Sequence, residues 1–236
     1  QDPPPGATSM KKTTSNPSTD RNLFAALRDA FPSDLDGVAI ETDSGLCYSW
    51  RDIERASAML ANLLESLDLA PGSRIAVQVE KSVEAAMLYL ATLRAGHVFL
   101  PLNTAYQSGE MEYFIGDAEP AVVVCTPRNF GWVSQLAFKA GTDHVFTLGA
   151  DRTGSLLERA AFCSDQHVVA ARRGDDMAAI LYTSGTTGRS KGAMLSHANL
   201  LANVRAMCEV CQVSSDDVFV SWLPLYHDMG LIGAWF

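Results

Sequence analysis

The feature that most constrains the fold is a rhythm between residues 75 and 148. Short apolar runs over 75–79, 98–102, 121–125 and 144–148 alternate with helical patterns over 82–95, 108–117 and 133–140. Strands separated by helices of this length read as βαβ units, so the chain is expected to be α/β, with mainly parallel sheets carrying helices on both faces. A Pro71–Gly72 turn opens the series and Gly96 ends its first helix. Ser82 and Ser108 begin the first two helices, and a serine hydroxyl can cap the free amides there. No internal repeat is visible.

Ahead of this region, Leu23, Phe24, Leu27 and Phe31 recur at helical spacing over 22–31. Apolar runs at 38–40 and 46–48 around Asp43, Ser44 and Gly45 suggest a short hairpin. Ser49 is placed to cap a long helix reaching about Leu67, with Ile53, Ala56, Leu60, Leu63 and Leu64 on one face. Residues 1–20 carry Pro, Ser, Thr and Lys with almost no apolar side chains, the composition of a disordered leader, and those before Met10 read as an expression remnant. Residues 165–176 read as a surface connection in which Arg172 and Arg173 are solvated charges.

The chain's 236 residues can bury a sizeable core, and its net charge of -9 gives no reason to expect nucleic acid or an anionic membrane as partner. No segment is long and apolar enough to be a membrane span. Five scattered cysteines do not make a disulfide framework and fit a reducing, cytoplasmic compartment. Cys208 and Cys211 form a Cys-x-x-Cys that closes a helical stretch and lacks a second ligand pair for zinc, so its spacing is read as chance.

The most informative chemistry follows an apolar strand over 178–182. Thr183, Ser184, Gly185, Thr186, Thr187, Gly188, Arg189, Ser190, Lys191 and Gly192 place hydroxyls and glycines beside a single lysine. Glycines let backbone amides converge on phosphate oxygens. Hydroxyls donate to the same oxygens and can ligate magnesium, and lysine supplies a compact cation. The spacing is neither Gly-x4-Gly-Lys-Ser/Thr nor Gly-x-Gly-x-x-Gly, which disfavours a nicotinamide dehydrogenase. A flexible Ser/Thr/Gly linker is the bland alternative, and the flush junction with a buried strand argues against it.

Residues 182–192 resemble the phosphate-binding signature of the AMP-forming superfamily of acyl- and aryl-CoA synthetases, luciferases and nonribosomal adenylation domains. The resemblance runs over about 21–236, and residues 77–125 are similar to malonyl-CoA synthetases in particular. It implies ATP and magnesium as cofactors, with Thr183, Ser184, Gly185, Thr186, Thr187, Gly188 and Lys191 holding phosphates and Thr187 reaching the metal. A second stretch, 222–233, contains Tyr226, His227, Asp228, Met229 and Gly230. The family has an aromatic-or-His motif here, at the wall between acyl pocket and nucleotide. By resemblance His227 is the catalytic candidate beside the reacting carboxylate. The bland alternative is a buried, hydrogen-bonded histidine in an aromatic cluster; the loop upstream favours the site. Malonyl-CoA synthetases carry Phe-His before Thr-His-Gly, whereas this run looks like fatty acyl-AMP ligases and polyketide loading domains.

The resemblance therefore implies activation of a small carboxylic acid as acyl-adenylate and transfer to coenzyme A or a carrier-protein phosphopantetheine. An acyl carrier protein is a candidate partner. Residues 21–236 would be an incomplete N-terminal large domain, since the family's adenine, ribose and hinge motifs and its C-terminal lysine are not found. Lys81 and Lys139 fit exposed helix ends and take no such role. The rival from another class is a non-catalytic nucleotide-binding or interaction module.

Overall fold

The computed structural model describes residues 21–183 and 190–232. The leader assigned to 1–20 lies outside them. In chain order the elements are α1 (Leu23–Arg28), β1 (Val38–Glu41), β2 (Cys47–Ser49), α2 (Trp50–Glu65), β3 (Arg74–Gln78), α3 (Val83–Arg94), β4 (Val98–Pro101) and α4 (Ser108–Ala118). There follow β5 (Val122–Cys125), α5 (Phe130–Lys139), β6 (His144–Thr147), α6 (Ser155–Ala160), β7 (Met177–Thr183), β8 (Lys191–Ser196), α7 (His197–Cys211) and α8 (Asp228–Leu231).

β1 and β2 pair antiparallel as the expected hairpin. The other six strands form one sheet in the order β6-β5-β3-β4-β7-β8. Every pairing in it is parallel except that of β7 with β8. Side-chain alternation along the strands divides the core into two layers. Ile75, Val77, Val122, Val124 and Leu181 face α1, α2, α3, α6 and α7. Ala76, Leu100, Val123, Cys125 and Ile180 face α4 and α5. Continuous apolar strands are therefore the consequence of burial on both faces, as the sequence rhythm requires.

Local capping explains several boundaries. Ser49 and Asp52 form a capping box at α2, and the Ser82 hydroxyl accepts from the Ala85 amide at 3.0 Å. The Ser108 cap is corrected. Ser108 is the first helical residue of α4, and the Glu110 carboxylate accepts from the Gln107 amide one position earlier, at 2.7 Å.

The chain leaves β6 at one edge of the sheet and must cross to β7 on the far side of β4. Its backbone polar groups on this return have no ladder, so side chains satisfy them. Asn62 donates to the Ser164 and Gln166 carbonyls, and Arg94 donates to the His167 carbonyl at 2.6 Å. Asn22 bridges the carbonyls of Leu93 and Ala170. The reading of Arg172 as solvated charge is also corrected: its Nε and Nη2 both donate to the Gly96 carbonyl, at 2.9 and 2.8 Å. Arg173 does remain at the surface, paired with Asp175.

Two histidines are buried where this return meets the sheet. His97 lies just before β4, and His197 opens α7 with Nδ1 accepting from the Leu23 amide at 3.0 Å. Burial first, and then the Arg172 guanidinium, hold both rings down to about 4; Asp176 partly opposes this at His197. Both rings are neutral in the folded chain at pH 7, whereas the unfolded rings protonate near 6.5. Between these values the unfolded state binds more protons, so this stabilisation is complete above pH 6.5 and is lost as pH falls toward 4. The urea midpoint is expected to drop steadily from pH 7 to pH 5, and His97→Leu to flatten that slope. Equal slopes for the two proteins would refute this account.

Candidate functional site

Thr183 and Lys191, two of the residues singled out in the sequence, stand at the carboxyl edge of the parallel strands, the place where open α/β sheets put their ligands. β7 ends there at Thr183, and β8 begins at Lys191. Thr183 is the ladder partner of Lys191, so the Ser/Thr/Gly segment joins the two arms of an antiparallel hairpin instead of a strand and a helix. Ser184, Gly185, Thr186, Thr187 and Gly188 lie outside the described residues. Thr183 and Lys191, which frame them, are both exposed.

The stem of this hairpin rests on α4. The Tyr113 phenol donates to the Ser190 carbonyl at 2.9 Å, and the Tyr182 phenol donates to Asp117 Oδ2 at 2.5 Å. Burial, reinforced by the Asp117 carboxylate, pushes the Tyr182 phenol well above its ordinary value, so it stays a donor at any ordinary pH. Gly192 faces the same cluster. A Cβ there would stand 2.9 Å from Ile180 Cγ2 and 3.5 Å from the Tyr182 ring, so a side chain would push the two arms apart.

Aromatic rings link this stem to the second motif. Tyr182 packs on Phe114 at 4.4 Å between centroids, and Phe114 on Tyr106 at 4.7 Å. Burial, with Glu110 and Tyr226 nearby, raises the Tyr106 phenol. Tyr226 of the second motif thus lies within electrostatic reach of Tyr106. Tyr106, Tyr113 and Asp117 were not singled out in the sequence. Tyr113 and Asp117 are four residues apart, hence on one face of α4, but nothing in that spacing says which neighbour the face meets.

His227 caps no pocket from inside. It is exposed, its Nδ1 sits 2.7 Å from Asp228 Oδ1, and its backbone closes a turn onto the Pro224 carbonyl. His227 is thus exposed in the described residues, whereas His97 and His197 are buried. Below the turn Leu225 and Leu231 plug into the core. Gly230 lies so close to the Pro224 carbonyl that a Cβ would collide with it.

Lys81 departs from expectation. It follows β3 and precedes the cap of α3, and it is half buried. Its ammonium donates to the Ser221 carbonyl, the Ser221 hydroxyl and the Leu223 carbonyl at 2.8, 2.6 and 2.7 Å. Lys139 matches its expected place, in an exposed pair with Glu112. Thr187, the residue assigned to magnesium, is outside the described set. Among the described residues no cluster of three His, Cys, Asp or Glu is arranged to hold a metal. Cys208 and Cys211 lie in the last turn of α7 with free thiols. No helix among the described residues is long and apolar enough to cross a membrane.

Comparison with known proteins adds the following. The family model described as AMP-binding enzyme matches residues 30–236. The chain is 30% identical over 212 residues to a medium-chain fatty-acid–CoA ligase of Escherichia coli (strain K12), covering 84% of this chain and 37% of that protein. It is 26% identical over 230 residues to a malonate–CoA ligase of Arabidopsis thaliana, covering 91% of this chain and 38% of that one. The solved structure of ATP-bound MatB from Rhodopseudomonas palustris superposes with a TM-score of 0.85 and 49% identity over 89% of this chain and 42% of its own. The chain thus spans about two fifths of the length of these relatives.

Tyr113→Phe deletes one neutral hydrogen bond, and is expected to lower global stability by only about 1 kcal/mol. Its local effect should be larger: hydrogen exchange at the Lys191 and Gly192 amides should speed up while the β3 amides stay unchanged. Uniform acceleration, or none, would count against α4 as the bed of the hairpin.

Proposed function

We propose, since this chain belongs to the AMP-binding enzyme family, that it supplies the N-terminal part of the large domain of an ATP-dependent acid–thiol ligase. In the first step a carboxylate oxygen of the acid attacks the α-phosphorus of ATP. The new oxygen–phosphorus bond forms as the bond to the β-phosphate oxygen breaks, and pyrophosphate leaves with the electron pair. A thiol, of coenzyme A or of a carrier-protein phosphopantetheine, then attacks the acyl carbon and AMP leaves.

The observation that carries this reading is the ladder pair Thr183–Lys191 at the carboxyl edge. It holds the two ends of the hydroxyl- and glycine-rich segment together and sets an exposed lysine at its mouth. In this reading Lys191 neutralises the outer phosphates, while Thr183, Ser184, Gly185, Thr186, Thr187 and Gly188 donate to them. Magnesium, held chiefly by the phosphates with Thr187, offsets charge on the leaving pyrophosphate when bound. His227, exposed above the Tyr226 turn, donates to a carboxylate or phosphate oxygen and lines the acid's approach. The chain's share is positioning and charge neutralisation. Relatives acting on malonate and on medium-chain acids keep both acid classes in view, and a reducing cytoplasm is the compartment that fits the free thiols.

The second reading is a non-catalytic nucleotide-binding or interaction module. ATP binding by the 236-residue chain with no pyrophosphate release, beside robust release from a chain of the relatives' length carrying it, separates the two. In that longer chain, with malonate, short-chain and long-chain acids as the panel, Lys191→Ala is expected to raise the ATP requirement far more than the acid requirement. His227→Ala should instead lower the acid-dependent rate by roughly 10²-fold, the usual worth of a positioned donor. Unchanged ATP dependence in Lys191→Ala would sink the phosphate assignment.

A further inference from the structure

The second motif owes its place to a lysine 140 residues away in sequence. Residues 218–222 belong to no helix or strand, and Val218, Phe219, Val220 and Trp222 are exposed. Apolar burial does not fix this stretch. It resumes only at Leu225, which with Leu231 enters the core. At the end of this stretch and just before the plug, all three donors of the Lys81 ammonium are engaged by Ser221 and Leu223. An ammonium has three tetrahedral donors and no acceptor, so its capacity is spent on this one segment.

No ion pair to Lys81 occurs among the described residues. A half-buried cation balanced by two carbonyls and a hydroxyl is costly to maintain, whereas an apolar side chain could fill the same space. Its distinguishing service is directional: it fixes the depth and rotation of the segment that leads, within four residues of Leu223, to His227. Lys81 itself stands on the carboxyl edge, between Gln78 at the end of β3 and the Ser82 cap of α3. It therefore ties the His227 turn to the same sheet edge from which β7 delivers Thr183.

We propose that Lys81 is a positioning residue, whose three hydrogen bonds to Ser221 and Leu223 hold the His227 turn in register with the Thr183–Lys191 hairpin. The functional half of this inference rests on the acid–thiol ligase reading; the structural half does not. Two measurements keep them apart. In the 236-residue chain labelled with fluorotryptophan, Lys81→Met should shift or broaden the fluorine resonance of Trp222, and Ser221→Ala should do so less. Lys139→Met, which loses only a surface pair, should leave that resonance in place. An unmoved Trp222 signal in Lys81→Met overturns the clamp.

In a chain of the relatives' length, Lys81→Met should lower kcat for acid-dependent pyrophosphate release by about tenfold to a hundredfold, the range reached by small misplacements near a reacting centre. The KM for ATP should stay within about threefold, because the hairpin stem is anchored separately on α4. A kcat within about twofold of the parent, or an ATP KM rising in step with the loss, overturns the positioning role. If no acid elicits pyrophosphate release even from the parent, the ligase reading fails, and the Trp222 signal alone decides the clamp.

Discussion

The placement of β7 hangs on a buried guanidinium. Arg94, 2% exposed at the end of α3, donates to the Glu54 carbonyl and carboxylate, the Ser57 hydroxyl and the His167 carbonyl, and stacks 5.0 Å from the Phe24 ring. One side chain thereby joins α1, α2, α3 and the return from β6. A planar group with donors on several sides can do this where an ammonium could not. The buried pair with Glu54 need not be a large net source of stability, because removing both charges from water is expensive. Its structural value is that it pins the His167 carbonyl of the return to α2 and α3. Since that return delivers the chain to β7, the location of the hairpin loop inherits the constraint.

The parts of the fold that depend on periodicity were legible in the sequence. Four strands, the helices between them and the β1–β2 hairpin stand within a few residues of their expected bounds, because burial on two faces leaves a direct trace in apolar runs. β8 left no such trace. Lys191, Gly192, Ala193 and Met194 are exposed, so its strand state comes from backbone pairing with β7 and not from a buried face. Arg172 was misread for a related reason: a charge beside another charge in a polar stretch looks solvated, and its grip on the Gly96 carbonyl requires knowing that β4 begins next door.

The candidate site shows the same division. Thr183, Lys191 and His227 were visible because their chemistry is local and the composition of the segment betrays it. Their supports were not. Tyr113, Asp117 and Lys81 lie 65 to 142 residues from the groups they hold, and a tyrosine or lysine beside a helix looks the same whether it meets solvent or a carbonyl. Tyr182, Phe114 and Tyr106 form a ring stack under the hairpin stem for which single-sequence reading offers no signal.

The hairpin at the end of β7 has an energetic corollary. A flexible segment that must wrap an anion ordinarily gives up the freedom of its own ends, a term that grows as the logarithm of its length and is about 2 kcal/mol for a segment this short. Here the ends are already a ladder pair, Thr183 opposite Lys191, fixed when the sheet forms. That loss of chain entropy belongs to folding. In the proposed phosphate-binding reading it would not recur at each encounter with a ligand, and the sheet would act as a covalent ring does.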